Sequence, residues 1–232
     1  RLWLAAIIFL RSVERDVFTL SLHITVGEHD AHIGVVGSRY DDENPDLWRR
    51  CNSDWNHRFK KPLIFRLGDQ SRVTISQSPC SKGSDVHRLR TVDPGDTGVT
   101  VWDAGIALAH FISIHPEIVK NRSVLELGAG AGLVGCVAAR NGASCTVLTD
   151  LEAVIPRLGV ALANNCLGLN AHAAILKWGD EKSVCETLKR FNVAAVDLVL
   201  CADLVYRREM AARLAATLRG ARHRECVVLV CQ

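Results

Sequence analysis

Val124-Leu125-Glu126-Leu127-Gly128-Ala129-Gly130-Ala131-Gly132 is a short apolar run broken by three glycines at alternate positions. It continues into Leu133-Val134-Gly135-Cys136-Val137-Ala138-Ala139, which has helix composition. A run this short, bounded by glycine, reads as a buried strand that turns sharply into a helix. Glycine admits the left-handed backbone of a tight turn and lets a ligand come close, and the first turn of a helix leaves N–H groups without internal partners. The stretch therefore predicts a strand end built to hold a nucleoside cofactor.

Working outward, strands and helices alternate with short connections. Strands are expected at Ser123–Leu127, Ser144–Thr149, Ala173–Lys177, Val196–Ala202 and Glu225–Cys231, and helices at Leu133–Asn141, Glu152–Cys166, Lys182–Phe191 and Arg207–Arg219. Near-continuous apolar strands in βαβα order predict an α/β fold, a doubly wound, mostly parallel Rossmann-like sheet covered by helices on both faces. Such sheets bind ligands beyond the carboxyl ends of their strands. Upstream, Leu63–Leu67 and Arg72–Gln77 around Gly68-Asp69-Gln70-Ser71 predict a β-hairpin extension. A polar loop through Pro79, Gly83, Pro94 and Gly95 leads to Val99-Thr100-Val101-Trp102 and to a helix over Asp103–Ile114 with Asp103 as its cap.

Residues 1–61 form an N-terminal segment of unassigned structure ahead of a domain over 62–232. Val17–Val26 alternates weakly, as a strand does, and Leu2–Leu10 is an apolar run too short to span a bilayer. It lacks the small-residue cleavage pattern of a secretory signal, and is expected to be a buried segment or an irregular end of the chain. Asp41–Lys61, with Trp48, Trp55, Arg49, Arg50, Arg58, Lys60 and Lys61, reads as a solvated or disordered tract. Across the 232 residues, 28 Lys and Arg against 25 Asp and Glu leave a formal charge of +3, too small to imply a nucleic-acid or membrane partner. The nine cysteines have neither C-x-x-C nor Cys/His ligand spacing, which predicts reduced thiols, no metal site, and a cytoplasmic or nuclear location.

The glycine loop alone leaves the cofactor open, because Gly130-Ala131-Gly132-Leu133-Val134-Gly135 also satisfies the dinucleotide pattern G-x-G-x-x-G. Asp150, at the end of the next strand, suits ribose hydroxyls under either reading. Three features separate the two. Glu126 places a carboxylate where the cationic amino-acid end of S-adenosylmethionine would be welcome and a pyrophosphate would not. The chain is too short for a separate dehydrogenase substrate domain, and the Tyr-x-x-x-Lys pair of one-domain dehydrogenases is absent, since Met210 lies four residues after Tyr206. The fourth strand ends in Ala202-Asp203-Leu204-Val205-Tyr206, an acid and a phenol at the edge an incoming nucleophile would reach.

Five stretches, Val101-Trp102-Asp103-Ala104, the glycine motif, Leu148-Thr149-Asp150-Leu151-Glu152, Leu176-Lys177-Trp178-Gly179 and Asp203-Leu204-Val205-Tyr206, together resemble the family 16 seven-stranded, S-adenosylmethionine-dependent protein lysine methyltransferases. The wording is most similar to the branch of that family acting on valosin-containing protein, and the resemblance covers about Pro62 to Gln232. It implies that Trp102, Gly128, Ala129, Gly130, Asp150, Trp178 and Ala202 contact the methyl donor, beside Glu126, and that Asp203 and Tyr206 border a lysine channel. It implies methyl transfer to lysine on a non-histone protein, of the chaperone or AAA-type ATPase kind, with no nucleic acid and no membrane involved. Two readings stand beside it: methylation of a small molecule or nucleic acid, against which Leu204 and Val205 stand in the proline places of the Asn/Asp-Pro-Pro-Tyr motif, and a non-catalytic cofactor-binding module acting by protein contact. Seven-stranded members carry two strands after the fifth, and this sequence stops within the fifth. The expectation is a truncated sheet with an open parallel edge.

Overall fold

A computed structural model describes residues 4–12, 17–26, 29–38, 61–78, 97–204, 208–221 and 226–231, the first three ranges as strand backbone. The tract over 41–60, the loop through Pro79, Gly83, Pro94 and Gly95, and Tyr206 lie outside the described residues.

The glycine-loop strand runs over Ser123–Leu127, the boundaries expected, and the helix after it over Leu133–Arg140. We number strands in chain order: β1 Leu4–Ser12, β2 Val17–Val26, β3 His29–Ser38, β4 Leu63–Arg66, β5 Arg72–Ile75, β6 Ser123–Leu127, β7 Cys145–Asp150, β8 Ala171–Ile175, β9 Leu198–Ala202 and β10 Val227–Cys231. Helices are α1 Asp103–Ile114, α2 Leu133–Arg140, α3 Ile155–Asn164, α4 Glu181–Lys189 and α5 Arg208–Gly220. The sheet order is β3-β2-β1-β10-β9-β6-β7-β8, and β8, β7, β6, β9 and β10 are mutually parallel.

Alternation along β6 divides the protein into two cores. Val124 joins the layer built from α1, α2 and α3, whereas Leu125 and Leu127 join the layer under α4 and α5. Burial on both faces is why these strands read as unbroken apolar runs. From β6 the chain winds outward through β7 to β8, then crosses back to β9 and continues to β10. The strand order thus reverses between β6 and β9, and a crevice opens there beyond their carboxyl ends.

Three expectations need correction. The edge of β10 expected to stand open is occupied, because β1 pairs with it in parallel, Ala5 opposite Val228 through Ile8 opposite Cys231, and β2 and β3 follow as an antiparallel meander. Counting strands only from the glycine loop onward left out this non-local partner. The cap of α1 is Trp102, in extended conformation and with no side-chain cap bond, and Asp103 sits in the first turn, where its charge complements the helix dipole. The helix expected over Glu152–Cys166 is split into a 3-10 turn, Glu152–Val154, and α3, because Pro156 has no N–H to give and is tolerated only at a helix start.

The hairpin β4–β5 packs on α2 and α3 through Phe65, Val73 and Ile75. Its anchor is Asn165, 3% exposed, which grips the backbone of Thr74 twice: Thr74 N–H donates to Oδ1 at 2.8 Å and Nδ2 donates to the Thr74 carbonyl at 2.9 Å. The same Nδ2 donates to the Ala161 carbonyl at 2.8 Å. Asn165→Ala leaves these groups unpaired and is expected to cost about 2 kcal/mol, measured as a lower urea midpoint with an unchanged m value.

Candidate active site

The three glycines adopt left-handed backbone, with φ of 62° at Gly128, 53° at Gly130 and 88° at Gly132. Two of them also have no room for a side chain. A Cβ on Gly128 would meet Leu204 Cδ2 at 2.5 Å and Trp178 Cζ2 at 3.2 Å, and one on Gly132 would meet Leu158 Cδ2 at 2.9 Å. A Cβ on Gly130 would lie 3.6 Å from the Cα of Gly98, and Trp102 Nε1 donates to the Thr97 carbonyl at 3.0 Å. The segment before α1 is thereby folded over the glycine loop.

Two carboxyl groups hold the loop from beneath. Glu126, 3% exposed, accepts from the Gly135 N–H at 2.9 Å, in the first turn of α2. Asp150 accepts from the Gly130 N–H and from the Leu151 N–H, each at 2.7 Å. Ala129 N–H donates to the Thr149 carbonyl and Gly132 N–H to the Ala129 carbonyl, while Thr149 Oγ1 donates to the Glu126 carbonyl at 2.7 Å. A pyrophosphate needs unpaired N–H groups and no neighbouring anion. Here four such N–H groups, on Ala129, Gly130, Gly132 and Gly135, are engaged inside the protein, two of them by acids. The arrangement disfavours a dinucleotide and suits a cofactor that carries positive charge.

Trp178, half-buried against the core of α4 and α5, brings its ring to Gly128 beside Leu204. On the other side of the crevice, Ala202 ends β9 and Asp203 turns the chain out of the sheet with φ 54°, a conformation that asparagine and aspartate tolerate better than other side chains. The Asp203 N–H donates to the Cys231 carbonyl at 2.8 Å, tying this corner to β10. Burial raises the Asp203 carboxyl above its ordinary range, and the negative charge of Asp103 at the start of α1 raises it further. The structure thus gathers Trp102, Glu126, Gly128, Ala129, Gly130, Asp150, Trp178, Ala202 and Asp203 around one crevice. Leu204, which the sequence offers only as a departure from the Pro-Pro motif, and Gly98 belong to it as well, since an apolar residue and an isolated glycine carry no chemical signal of their own.

A family model described as lysine methyltransferase matches residues 85–232. The chain belongs to this lysine methyltransferase family. Among curated relatives, the protein N-lysine methyltransferase METTL21A of Danio rerio is 36% identical over 151 residues, covering 62% of this chain and 66% of its own length. The protein-lysine N-methyltransferase EEF2KMT of Mus musculus is 30% identical over 165 residues, covering 67% and 46%. EEF1A lysine methyltransferase 3 of Mus musculus is 34% identical over 120 residues, covering 51% and 48%. The chain spans between about half and two thirds of the length of these relatives.

The acid under the loop is the most perturbed carboxyl around the glycine loop. Burial pushes Glu126 up from 4.5 to about 8, with Asp150 adding to the shift and the Gly135 N–H opposing it. Between those two values the folded chain holds a proton that the unfolded chain has lost, so stability falls as pH rises through that window. Glu126→Gln, neutral throughout, is expected to flatten this fall, and melting temperatures of both proteins from pH 5 to 8.5 check it. Gly128→Ala forces a methyl group against Leu204 and Trp178 and is expected to weaken S-adenosylhomocysteine binding at least tenfold, read by calorimetry.

Proposed function

We propose that this chain binds S-adenosylmethionine in the crevice between β6 and β9 and transfers its methyl group to lysine side chains of a non-histone protein. The observation carrying the proposal is the pair of acids beneath the glycine loop, Asp150 bonded to the Gly130 N–H in the loop and Glu126 to the Gly135 N–H in the first turn of α2, neither compatible with a phosphate. The cofactor, when bound, supplies a methyl group on a positively charged sulfur, so the protein's task is alignment and exclusion of water. Glu126 and Asp150 answer the charge of the amino-acid end and the ribose hydroxyls. Gly128, Ala129 and Gly130 supply close backbone approach, Trp178 an aromatic surface for the adenine, and Trp102 and Ala202 the flanking contacts.

The nucleophile has to be a neutral amine, and a lysine with its ordinary pKa near 10.4 is almost wholly protonated at neutral pH. A desolvated channel lowers that value. In our reading Tyr206 positions the amine and Asp203 shapes the channel mouth. Family membership and the names of the relatives, each a lysine methyltransferase and one of them named for EEF1A, support a protein substrate. A chaperone or AAA-type ATPase is the substrate class suggested by the sequence resemblance. Location in the cytosol or nucleus is part of the same proposal, supported by the free thiols of Cys136, Cys145, Cys166, Cys185, Cys201 and Cys231.

Incubation with labelled methyl donor and a cell lysate, followed by digestion, is expected to place label on lysine. Label in RNA or small molecules, or none at all, sinks the proposal. Trp178→Ala is expected to raise the Kd for S-adenosylhomocysteine about tenfold, in line with a lost aromatic stacking contact. Asp203→Ala and Tyr206→Phe are expected to cut methyl transfer at least tenfold with that Kd unchanged. Unimpaired transfer by both variants removes the roles given to them.

A further inference from the structure

Trp178, whose ring reaches Gly128, sits in a short segment that is tied down on both sides. Before it, the Leu176 N–H donates to the Asp150 carbonyl at 3.0 Å, so the chain leaves β8 still bonded to the end of β7. After it, Gly179 turns the backbone with φ 115°, and Asp180 caps α4 by accepting the Lys182 N–H on Oδ1 at 3.0 Å. Between these ties the ring is half-buried, packed on the core of α4 and α5 without being enclosed by it, and Gly179 is exposed. Packing alone therefore leaves the turn after the ring free to rock.

One face of α5 lies along that turn. Arg213, Thr217 and Gly220 are four and then three residues apart, which places them on one stripe of the helix. A Cβ on Gly179 would lie 3.6 Å from Cγ of Arg213, and a Cβ on Gly220 would collide with the backbone of Glu181. Arg219 adds an exposed ion pair with Glu181 at 2.7 Å. In the middle of the stripe is Thr217, 0% exposed. Its hydroxyl donates to the Arg213 carbonyl at 3.0 Å and accepts the Gly179 N–H at 3.0 Å. A hydroxyl has one proton to give. With that proton committed to Arg213, the oxygen presents a lone pair to Gly179, the residue joined to Trp178 by a peptide bond.

We propose that Thr217 is a positioning residue of the cofactor site: through the Gly179 N–H it sets the angle of the Trp178 ring over Gly128, and with it the affinity for the nucleoside end of the methyl donor. The proposal rests on the reading above in which Trp178 faces the adenine, and adds to it the group that holds the ring there. Ring contacts depend on offset and tilt, so a ring that rocks loses part of its contact with a flat ligand. Thr217 works from behind, on α5, and acts only through the backbone beside Trp178. One hydrogen bond of ordinary net strength corresponds to about a fivefold change in Kd.

The test is calorimetry of the full chain with S-adenosylhomocysteine across a double-mutant cycle. Thr217→Val keeps the shape and removes the hydroxyl, and is expected to raise Kd about fivefold. Thr217→Ser keeps the hydroxyl and is expected to bind within twofold of wild type. Adding Thr217→Val to Trp178→Ala is expected to change Kd less than twofold further, because the ring it positions is gone. Thr217→Val binding within twofold of wild type overturns the positioning role, as does a serine variant as weak as the valine one. A fivefold loss that persists in the Trp178→Ala background overturns it too, since the threonine then acts on the fold at large. If the valine variant does not melt cooperatively, Thr217→Ala is carried through the same cycle, and loss of fold in both makes the hydroxyl a purely structural group and overturns the role. Wild-type affinity in Trp178→Ala alone fails earlier, at the adenine reading, whereas weakened binding there with none in Thr217→Val overturns only the positioning.

Discussion

Beneath the first turn of α2 the Glu126 carboxyl accepts the Gly135 N–H at 2.9 Å, and a Cβ on Gly135 would collide with that carboxyl oxygen and with Leu148. This one contact couples the strand before the glycine loop to the helix after it. The loop between them, Gly128–Gly132, is then held at both ends and has little choice of path. Its left-handed turns, the approach of Trp178 and Leu204 to Gly128, and the seat of Gly98 on Gly130 all follow from that path. The cost is a carboxyl group out of water, which appears as its raised pKa rather than as a broken fold.

A second acid, Asp150, grips the middle of the same loop. Two buried carboxyls under one loop are a poor arrangement for the free protein, since Asp150 disfavours ionisation of Glu126. A cationic ligand reverses that balance. The same electrostatics that burden the free protein favour a positively charged cofactor, and the crevice is in this sense prepared for its ligand at the expense of stability.

How much of this was legible in the sequence depended on burial. β6 was read residue for residue, because a strand buried on both faces is an unbroken apolar run and glycine ends it sharply. β8, at the sheet edge, lies two residues earlier than expected, since half of it is partly exposed and its apolar run continues into Leu176, which leaves the strand. Strand-end position sufficed to bring Asp150, Trp178 and Asp203 to one crevice. Asn165 was assigned nothing because a polar residue after a helix usually caps it toward water, and its grip on Thr74 joins positions 91 apart in sequence. Glu126 is legible as an acid at the end of β6, but its partner Gly135 is not, because no pattern announces which N–H a buried carboxyl will meet. Val17–Val26 was read as a strand, yet nothing in its alternation says that its neighbour β1 will lie against β10.

That last pairing bears on how the chain reaches its structure. Ala5 stands opposite Val228, so β1 has a neighbour in the parallel sheet only after β10 has been made. The β1–β2–β3 meander forms from local contacts early, whereas its docking carries the loop-closure cost of the long segment between β3 and β10. During synthesis two bare strand edges coexist, one on the meander and later one on β10, and each is a template for mispairing until they find one another. Docking of β1 on β10 is the step that closes this sheet.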